Sequence, residues 1–214
     1  MGSCLSASFP VQPIPSKSTH TRALTPAEYA QVALAAVSLN GLALRHVLLP
    51  YQTDAICRAA ILHNPDALQF VCRQTEELCV LAVQRKWSAL QFVATQTDAI
   101  CRAAILENPD ALEFVSLDSE ELCLLAVRRK GSALQFVATQ TPAIRATAIA
   151  QDPMAIRFCA ERSAPLQFLA VAGNGLALEY CGAHTPELVA VAVAQNADAA
   201  ALARLVRKCP SAEK

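Results

Sequence analysis

The sequence predicts an all-α protein, built as an α-solenoid of about eight stacked helical hairpins. Three observations predict this class: a motif that recurs every 22 residues, a helix-start signal that opens each copy, and a helical spacing of apolar residues after it. In such arrays each unit buries its apolar side against the next one.

The repeat is visible when the chain is compared with itself. Residues 52–95 and 96–139 are identical at 35 of 44 positions, and each of these blocks consists of two related halves. Seven copies keep strict register, and an eighth, upstream, fits after a shift of two residues. One column of hydroxyl residues marks the period: Thr53, Thr75, Thr97, Ser119, Thr141, Ser163 and Thr185.

Each copy reads as two helices. The opening Ser or Thr is followed by Asp, Glu or Pro, which is typical of a helix start, and apolar residues then follow the spacing of Ile100, Ala104 and Ile105. After a break such as "NPD" or "RKGS", a second, shorter helix is predicted, with Leu112 and Phe114 on its apolar side. Helices of about ten residues are marginal alone, so packing between copies must stabilise them.

Small and large residues alternate in a way that suits stacking. Alanine recurs at two positions of the repeat, those of Ala104 and Ala111, and an aromatic residue recurs at the position of Phe114. Small side chains allow close approach of helices, while the aromatic rings fill the space between layers. At roughly 8 to 10 Å per layer, eight layers predict a rod on the order of 70 Å long.

The chain divides into three segments on this basis. Residues 1–24 are rich in Ser and Pro and have no helical period, so we expect a flexible lead segment. Residues 25–208 form the helical repeat array, and residues 209–214 form a tail.

Composition excludes several classes of protein. Eighteen basic and eighteen acidic side chains give a formal net charge of zero, and no apolar run is long enough to cross a bilayer. Nine cysteines are an odd count, and Cys57, Cys79, Cys101 and Cys123 recur with the repeat, so we interpret them as small buried residues in a reducing compartment. The four histidines lack metal-ligand spacing. No catalytic motif is present, so we expect no enzyme activity, no metal and no cofactor.

The stretches "LCLLAVRRKGSALQFV", "ELVAVAVAQNADA" and "VALAAVSLNGLALRHV" carry a resemblance. They resemble a domain-of-unknown-function family of tandem helical repeats, written A-V-x-x-N-G-x-A-L-x-x-V, in intracellular bacteria, amoebal symbionts and some algae and protists. The resemblance covers about Thr25 to Leu205, and Trp87, Arg145 and Gln167 depart from the pattern of the other copies. It implies a helical array in an effector-like or host-associated protein, and it supplies no catalytic residues.

The first six residues fit an acylation signal. Met1-Gly2-x-x-x-Ser6 matches the N-myristoylation pattern, and Cys4 is placed for palmitoylation once the chain is docked at a membrane. This predicts localisation on the cytoplasmic face of a membrane, which is a host membrane if the protein is a secreted bacterial effector. Two alternatives stay open: the "MGS" start derives from an expression vector, or the Ser-rich terminus is a type III or IV secretion signal. A chain without acylation is expected in the cytoplasm.

The leading functional interpretation is a non-enzymatic, lipid-anchored adaptor that presents one face to a protein partner. Trp87, the only tryptophan, and its neighbours Arg85 and Lys86 are candidate binding residues, together with the cluster Arg128, Arg129 and Lys130. The alternatives are a structural array or a nucleic-acid-binding array. Nucleic-acid binding is disfavoured because basic breaks alternate with neutral or acidic ones along the repeats.

Overall fold

A computed structural model describes residues 24–182 and 184–200. Within these residues eight α-helices alternate with 3-10 helices, and no β-strand is present, so the predicted all-α class is confirmed. The α-helices are α1 (Pro26–Leu39), α2 (Asp54–His63), α3 (Glu76–Arg85), α4 (Asp98–Glu107), α5 (Glu120–Arg129), α6 (Pro142–Gln151), α7 (Ala164–Gly173) and α8 (Pro186–Gln195).

Each of the first seven α-helices is followed by a six-residue 3-10 helix, where the sequence indicated only a second, shorter helix. These are η1 (Gly41–His46), η3 (Pro65–Phe70), η4 (Trp87–Phe92), η5 (Pro109–Phe114), η6 (Gly131–Phe136), η7 (Pro153–Phe158) and η8 (Gly175–Tyr180). An extra 3-10 helix, η2 (Leu49–Tyr51), lies between the first and second repeats. This insertion accounts for the shift of two residues between those copies.

The hydroxyl residues begin the α-helices as the sequence predicts. Six threonines, those before α1 to α4, α6 and α8, accept a hydrogen bond from the backbone N–H three residues ahead. Ser119 and Ser163 do not form this bond. Ser119 has ψ of 115°, whereas ψ of the capping threonines lies between 152° and 160°, so the backbone before α5 differs from that before the capped helices. Ser163 has a backbone conformation like that of the capping threonines, and nothing in the structure explains why it lacks the capping bond.

A single residue joins each α-helix to the 3-10 helix after it. Where this residue is Asn or Asp, its side chain accepts from the N–H two residues ahead, as Asn108 does from Asp110 at 2.9 Å. The residue therefore ends one helix and caps the next. Lys86 and Lys130 occupy this junction in the third and fifth repeats and form no such cap.

Packing runs from each repeat to the next along the described chain. Every α-helix contacts the next α-helix, and the six-residue 3-10 helices contact one another in order. Helices two repeats apart, such as α3 and α5, make no contact with each other among the described residues. The two alanine columns, such as Ala104 and Ala111, are fully buried between these layers, as predicted. The aromatic column is only half-buried and packs on the edge of the core.

Close approach between layers requires glycine at the start of three 3-10 helices. A Cβ placed on Gly41, Gly131 or Gly175 would lie 2.4 to 2.5 Å from a carbonyl oxygen of the next α-helix. The Gly175 N–H also donates to the Gln195 side chain at 2.5 Å, and the Gly131 N–H donates to Gln151. The glycine thus allows the backbone of one layer to touch the next.

A recurring glutamine provides a second link between layers, and the sequence analysis did not single it out. Gln74 donates to the carbonyls of Leu68 and Phe92 at 3.2 and 2.9 Å and accepts from the Ala94 N–H at 2.8 Å. We call this arrangement the glutamine clamp, formed by Gln52, Gln74, Gln96 and Gln140. It satisfies backbone groups at the ends of 3-10 helices.

Candidate protein-binding surface

The predicted binding residues lie where α-helices pass into 3-10 helices. Arg85 ends α3, Lys86 joins it to η4, and Trp87 begins η4. Arg128, Arg129 and Lys130 occupy the corresponding junction between α5 and η6. We call the row of these junctions the junction edge: the last two residues of each α-helix, the joining residue and the first residue of the 3-10 helix.

The two lysines of the junction edge are already engaged within the protein. Lys86 Nζ lies 2.7 Å from the Asp66 carboxylate, and Lys130 Nζ lies 2.6 Å from the Asp110 carboxylate. Each lysine reaches back to the second residue of the preceding repeat's 3-10 helix. They are therefore neutralised links between repeats, which lowers their value for binding a partner.

Three arginines of the junction edge have a different environment. Arg85, Arg128 and Arg129 are exposed, and they form no ion pair within the described residues. Helix α4, which ends at Glu107, lies between α3 and α5. The structure therefore does not bring Arg85 together with the Arg128–Arg129 pair, and the edge alternates in charge.

Trp87 is half-buried and packs across the repeat boundary. Its ring stacks on Phe114 of the next repeat, with centroids 5.8 Å apart and an interplanar angle of 29°. This contact gives Trp87 a structural role, and part of its ring stays exposed. A role of Trp87 in binding a partner stays a prediction.

The N-terminal halves of the α-helices carry a feature that sequence reasoning missed. Arg58 pairs with Glu77 at 3.3 Å, and Arg102 pairs with Glu121 at the same distance. A shallow groove of about 430 Å³ lies beside the first pair, lined in part by Val80 and Leu81. Because each arginine stands 19 residues before its partner and the pair recurs after 44 residues, the spacing could have been found in the sequence. Both pairs are solvent-exposed and contribute little to stability.

The cysteine column has no features of a reactive site. Cys57, Cys79, Cys101 and Cys123 are buried free thiols, which confirms the predicted burial. Loss of solvation, with a smaller effect of the Asp98 carboxylate, raises the pKa of Cys101 to about 11. The thiol therefore stays protonated near neutral pH and is a poor nucleophile.

Arg145 replaces cysteine in this column and is almost fully buried. Its Nη1 lies 2.9 Å from the Glu161 carboxylate, while its Nε is buried without a hydrogen-bond partner in the described part of the chain. Gln167, also in the column, is buried and donates to the Arg162 carbonyl at 2.7 Å. Local polar contacts thus accommodate Gln167, and they accommodate Arg145 in part.

Three kinds of site would bear on function: a metal site, a membrane-spanning helix and the acylation site. No cluster of three or more His, Cys, Asp or Glu side chains that could hold a metal ion is found in residues 24–182 and 184–200. The helices described there are all too short to cross a bilayer. The predicted acylation residues, Gly2 and Cys4, and the tail at 209–214 lie outside the described residues.

Comparison of the chain with protein-family models, with curated proteins and with solved structures found no match.

Proposed function

We propose that the chain is a non-enzymatic protein-interaction module: an α-solenoid of eight stacked helical hairpins that offers its junction edge to a protein partner. The observation that carries the proposal is the order of contacts, because each described element packs only on its own and adjacent repeats. This order is typical of solenoids, in which a modest number of residues produces a long, accessible surface.

The junction edge is the part of that surface best suited to binding. Arg85, Arg128 and Arg129 are exposed and form no ion pair with another described residue. Arginine and tryptophan are enriched among residues that dominate binding energy. Since the neighbouring lysines are neutralised by Asp66 and Asp110, the arginines supply the local positive charge. An acidic protein segment therefore fits this edge, with Trp87 as an apolar contact beside it.

The test uses the full chain as bait in a eukaryotic cell lysate treated with nuclease. Proteins that bind the edge should be retained by the wild-type chain and lost with Arg85→Glu/Arg129→Glu. The matched control is Arg73→Glu, an exposed arginine in a connecting loop, which should retain them. If the same proteins are retained by both variants, the assignment of the edge is contradicted. A parallel lysate without nuclease is included, and binding seen only there would favour a nucleic-acid partner.

The proposal includes a membrane anchor at the N-terminus. A single myristoyl chain binds membranes only weakly and reversibly, and residues 1–24 contain only Lys17 and Arg22 as basic support. Stable anchoring therefore needs a second acyl chain, for which Cys4 is the nearby thiol. In a eukaryotic cell, Gly2→Ala should make the protein cytosolic, and Cys4→Ser should leave it loosely bound to internal membranes.

Labelling with alkyne-myristate, followed by membrane fractionation and hydroxylamine treatment, checks the anchor. Label that survives hydroxylamine on Gly2 and a hydroxylamine-sensitive label on Cys4 are expected. If the wild-type chain takes up no label and fractionates as soluble, the anchor is contradicted. The protein would then be a soluble interaction module or structural array, or an effector secreted without a lipid anchor.

A further inference from the structure

The outer side of the first repeat is apolar and uncovered among the described residues. Val32 of α1 is 56% exposed, whereas the seven residues at its equivalent position in the later repeats are 9% exposed or less. Those seven residues are Ile56, Leu78, Ile100, Leu122, Ile144, Leu166 and Leu188. In each later repeat the preceding layer covers this position, so the first repeat needs a substitute for that layer.

A groove lies at this uncovered side. It has a volume of about 260 Å³ and is lined by Leu24, Tyr29, Val32, Ala33, Ala36, Ala43, His46 and Val47. The Tyr29 hydroxyl is engaged by the Leu48 N–H at 3.2 Å and the His46 carbonyl at 3.5 Å, so it offers the groove mainly its ring. The lining contains no Asp, Glu, Lys or Arg. An uncharged, apolar occupant therefore suits the groove.

The chain itself supplies such a segment at the right place. Leu24 is both the first described residue and part of the groove wall, so residues 1–23 enter the structure beside the groove. Residues 9–14, "FPVQPI", contain no charge and place the apolar residues Phe9, Val11 and Ile14 each next to a proline. Proline-rich segments favour an extended conformation and bind apolar, aromatic-lined grooves with little loss of chain entropy.

The linker between this segment and the groove is suitable in length and composition. Residues 15–23, "PSKSTHTRA", are mainly polar. A flexible chain of that length spans roughly 16 to 18 Å, which is enough for residues 9–14 to turn back toward the groove. A short tether also gives the segment an effective concentration on the order of millimolar. Even a weak contact would then be populated.

We propose that residues 9–14 dock in this groove and cover the first repeat as the preceding layer covers each later repeat. Docking holds the N-terminus beside the first repeat, and it is independent of whether Gly2 is acylated. It also covers the exposed apolar side chain of Val32, which would otherwise favour association between chains.

The test measures solvent access at Val32 in the full chain, produced in bacteria without an N-myristoyltransferase. Valine methyl groups are isotope-labelled, and their NMR signals are recorded with a soluble paramagnetic agent. The Val32 signal should be attenuated several-fold less in the wild-type chain than in the triple variant Phe9→Ser/Val11→Ser/Ile14→Ser. The reason is that docking should lower the exposed fraction of Val32 from 56% to that of the equivalent residues in the later repeats. Leu5→Ser is the matched control and should leave Val32 protected, and Val193 of α8 is the internal reference in all samples.

Three outcomes would overturn the proposal. The first is equal attenuation of Val32 in the wild-type chain and the triple variant, with far-UV circular dichroism showing both folded. The second is protection that grows with protein concentration and survives the triple substitution, which would assign the groove to a second copy of the chain. The third is protection that appears only after enzymatic acylation of Gly2, which would make the acyl chain the occupant.

Discussion

At the scale of single residues, Asp118 interrupts the glutamine clamp. It stands at the position of Gln74 and Gln140, which bridge two 3-10 helices. Gln96, at the same position, donates to the Phe114 carbonyl, and a carboxylate cannot donate to such carbonyls. Among the described residues Asp118 forms no hydrogen bond, and it lines a cavity of about 270 Å³ between Leu112 and Phe136. The boundary between the fourth and fifth repeats therefore lacks one link.

We expect Asp118→Gln to stabilise the protein. The new amide can donate to the Phe136 carbonyl and accept from the Ala138 N–H, as Gln96 does with Phe114 and Ser116. The gain should be about 1 kcal/mol in the free energy of unfolding, measured by urea denaturation. Asp118→Asn is the control because its amide is one methylene shorter, and an equal gain there would mean that removal of the charge, not the clamp, is responsible.

Gly131→Ala should destabilise the protein by about 1–3 kcal/mol. The added Cβ would lie 2.5 Å from the Ala148 carbonyl oxygen, and backbone atoms cannot move aside without separating the fifth and sixth repeats. Gly182→Ala is the matched control, because nothing lies within 4 Å of the Cβ position there. Thermal unfolding of both variants checks the prediction, and equal midpoints would show that the layers can separate at little cost.

At the scale of helices, the cysteine column of α2 to α5 should make the free energy of unfolding depend on pH in the alkaline range. Burial raises the pKa of Cys101 from 9.0 to about 11 and raises the pKa values of Cys57, Cys79 and Cys123 in the same direction. Between pH 9 and 11 the unfolded chain releases thiol protons that the folded chain keeps. Stability is therefore fully present below pH 9 and is lost as pH rises toward 11.

Urea denaturation across this pH range checks the effect. The loss of unfolding free energy with pH should be smaller in Cys101→Ala than in the wild-type chain, because one of the thiols that drive it is gone. Cys72→Ala, which removes an exposed thiol, serves as the control and should change the slope less than Cys101→Ala does. A Cys101→Ala chain with the wild-type slope would contradict the assignment.

Helix positions were predictable from sequence because their signals are local. The threonine before α4 and the spacing of Ile100, Ala104 and Ile105 both lie within one turn or two of the helix that they define. The clamp of Gln96 was not predicted, because its partners Phe114 and Ser116 lie 18 and 20 residues away and meet it only through the packing of layers. The choice of 3-10 over α geometry depends on the same packing.

The candidate site was predictable only in part. The basic residues were visible in the sequence, but the engagement of Lys86 by Asp66 depends on the offset between adjacent layers. Likewise, the stack of Trp87 on Phe114 joins residues of different repeats. Sequence alone therefore could not separate the exposed Arg85 from its neutralised neighbour.

At the scale of the whole molecule, deletion of residues 52–95 should leave a folded, shorter array. The cut joins the first repeat to α4, whose sequence nearly matches that of α2, so the proposed solenoid re-forms its interfaces. We expect retained helicity, cooperative urea unfolding and a maximum dimension shorter by roughly 16 to 20 Å in small-angle X-ray scattering. Deletion of residues 52–84, which does not match the period, should lose cooperative unfolding. A cooperative unfolding transition in both would argue against modular stacking.

The alternating links between layers restrict how such a chain can change in length. Arg58 and Asp66 of the second repeat meet Glu77 and Lys86 of the third, and the fourth repeat meets the fifth in the same way. Loss of residues 74–95 would bring Ala99 and Asn108 to those partners, and both ion pairs would vanish. Loss or gain of a 44-residue block within residues 52–139 would keep Arg and Asp of one layer opposite Glu and Lys of the next. Unequal recombination within the gene therefore keeps the opposite charges of adjoining layers matched when it adds or removes repeats two at a time.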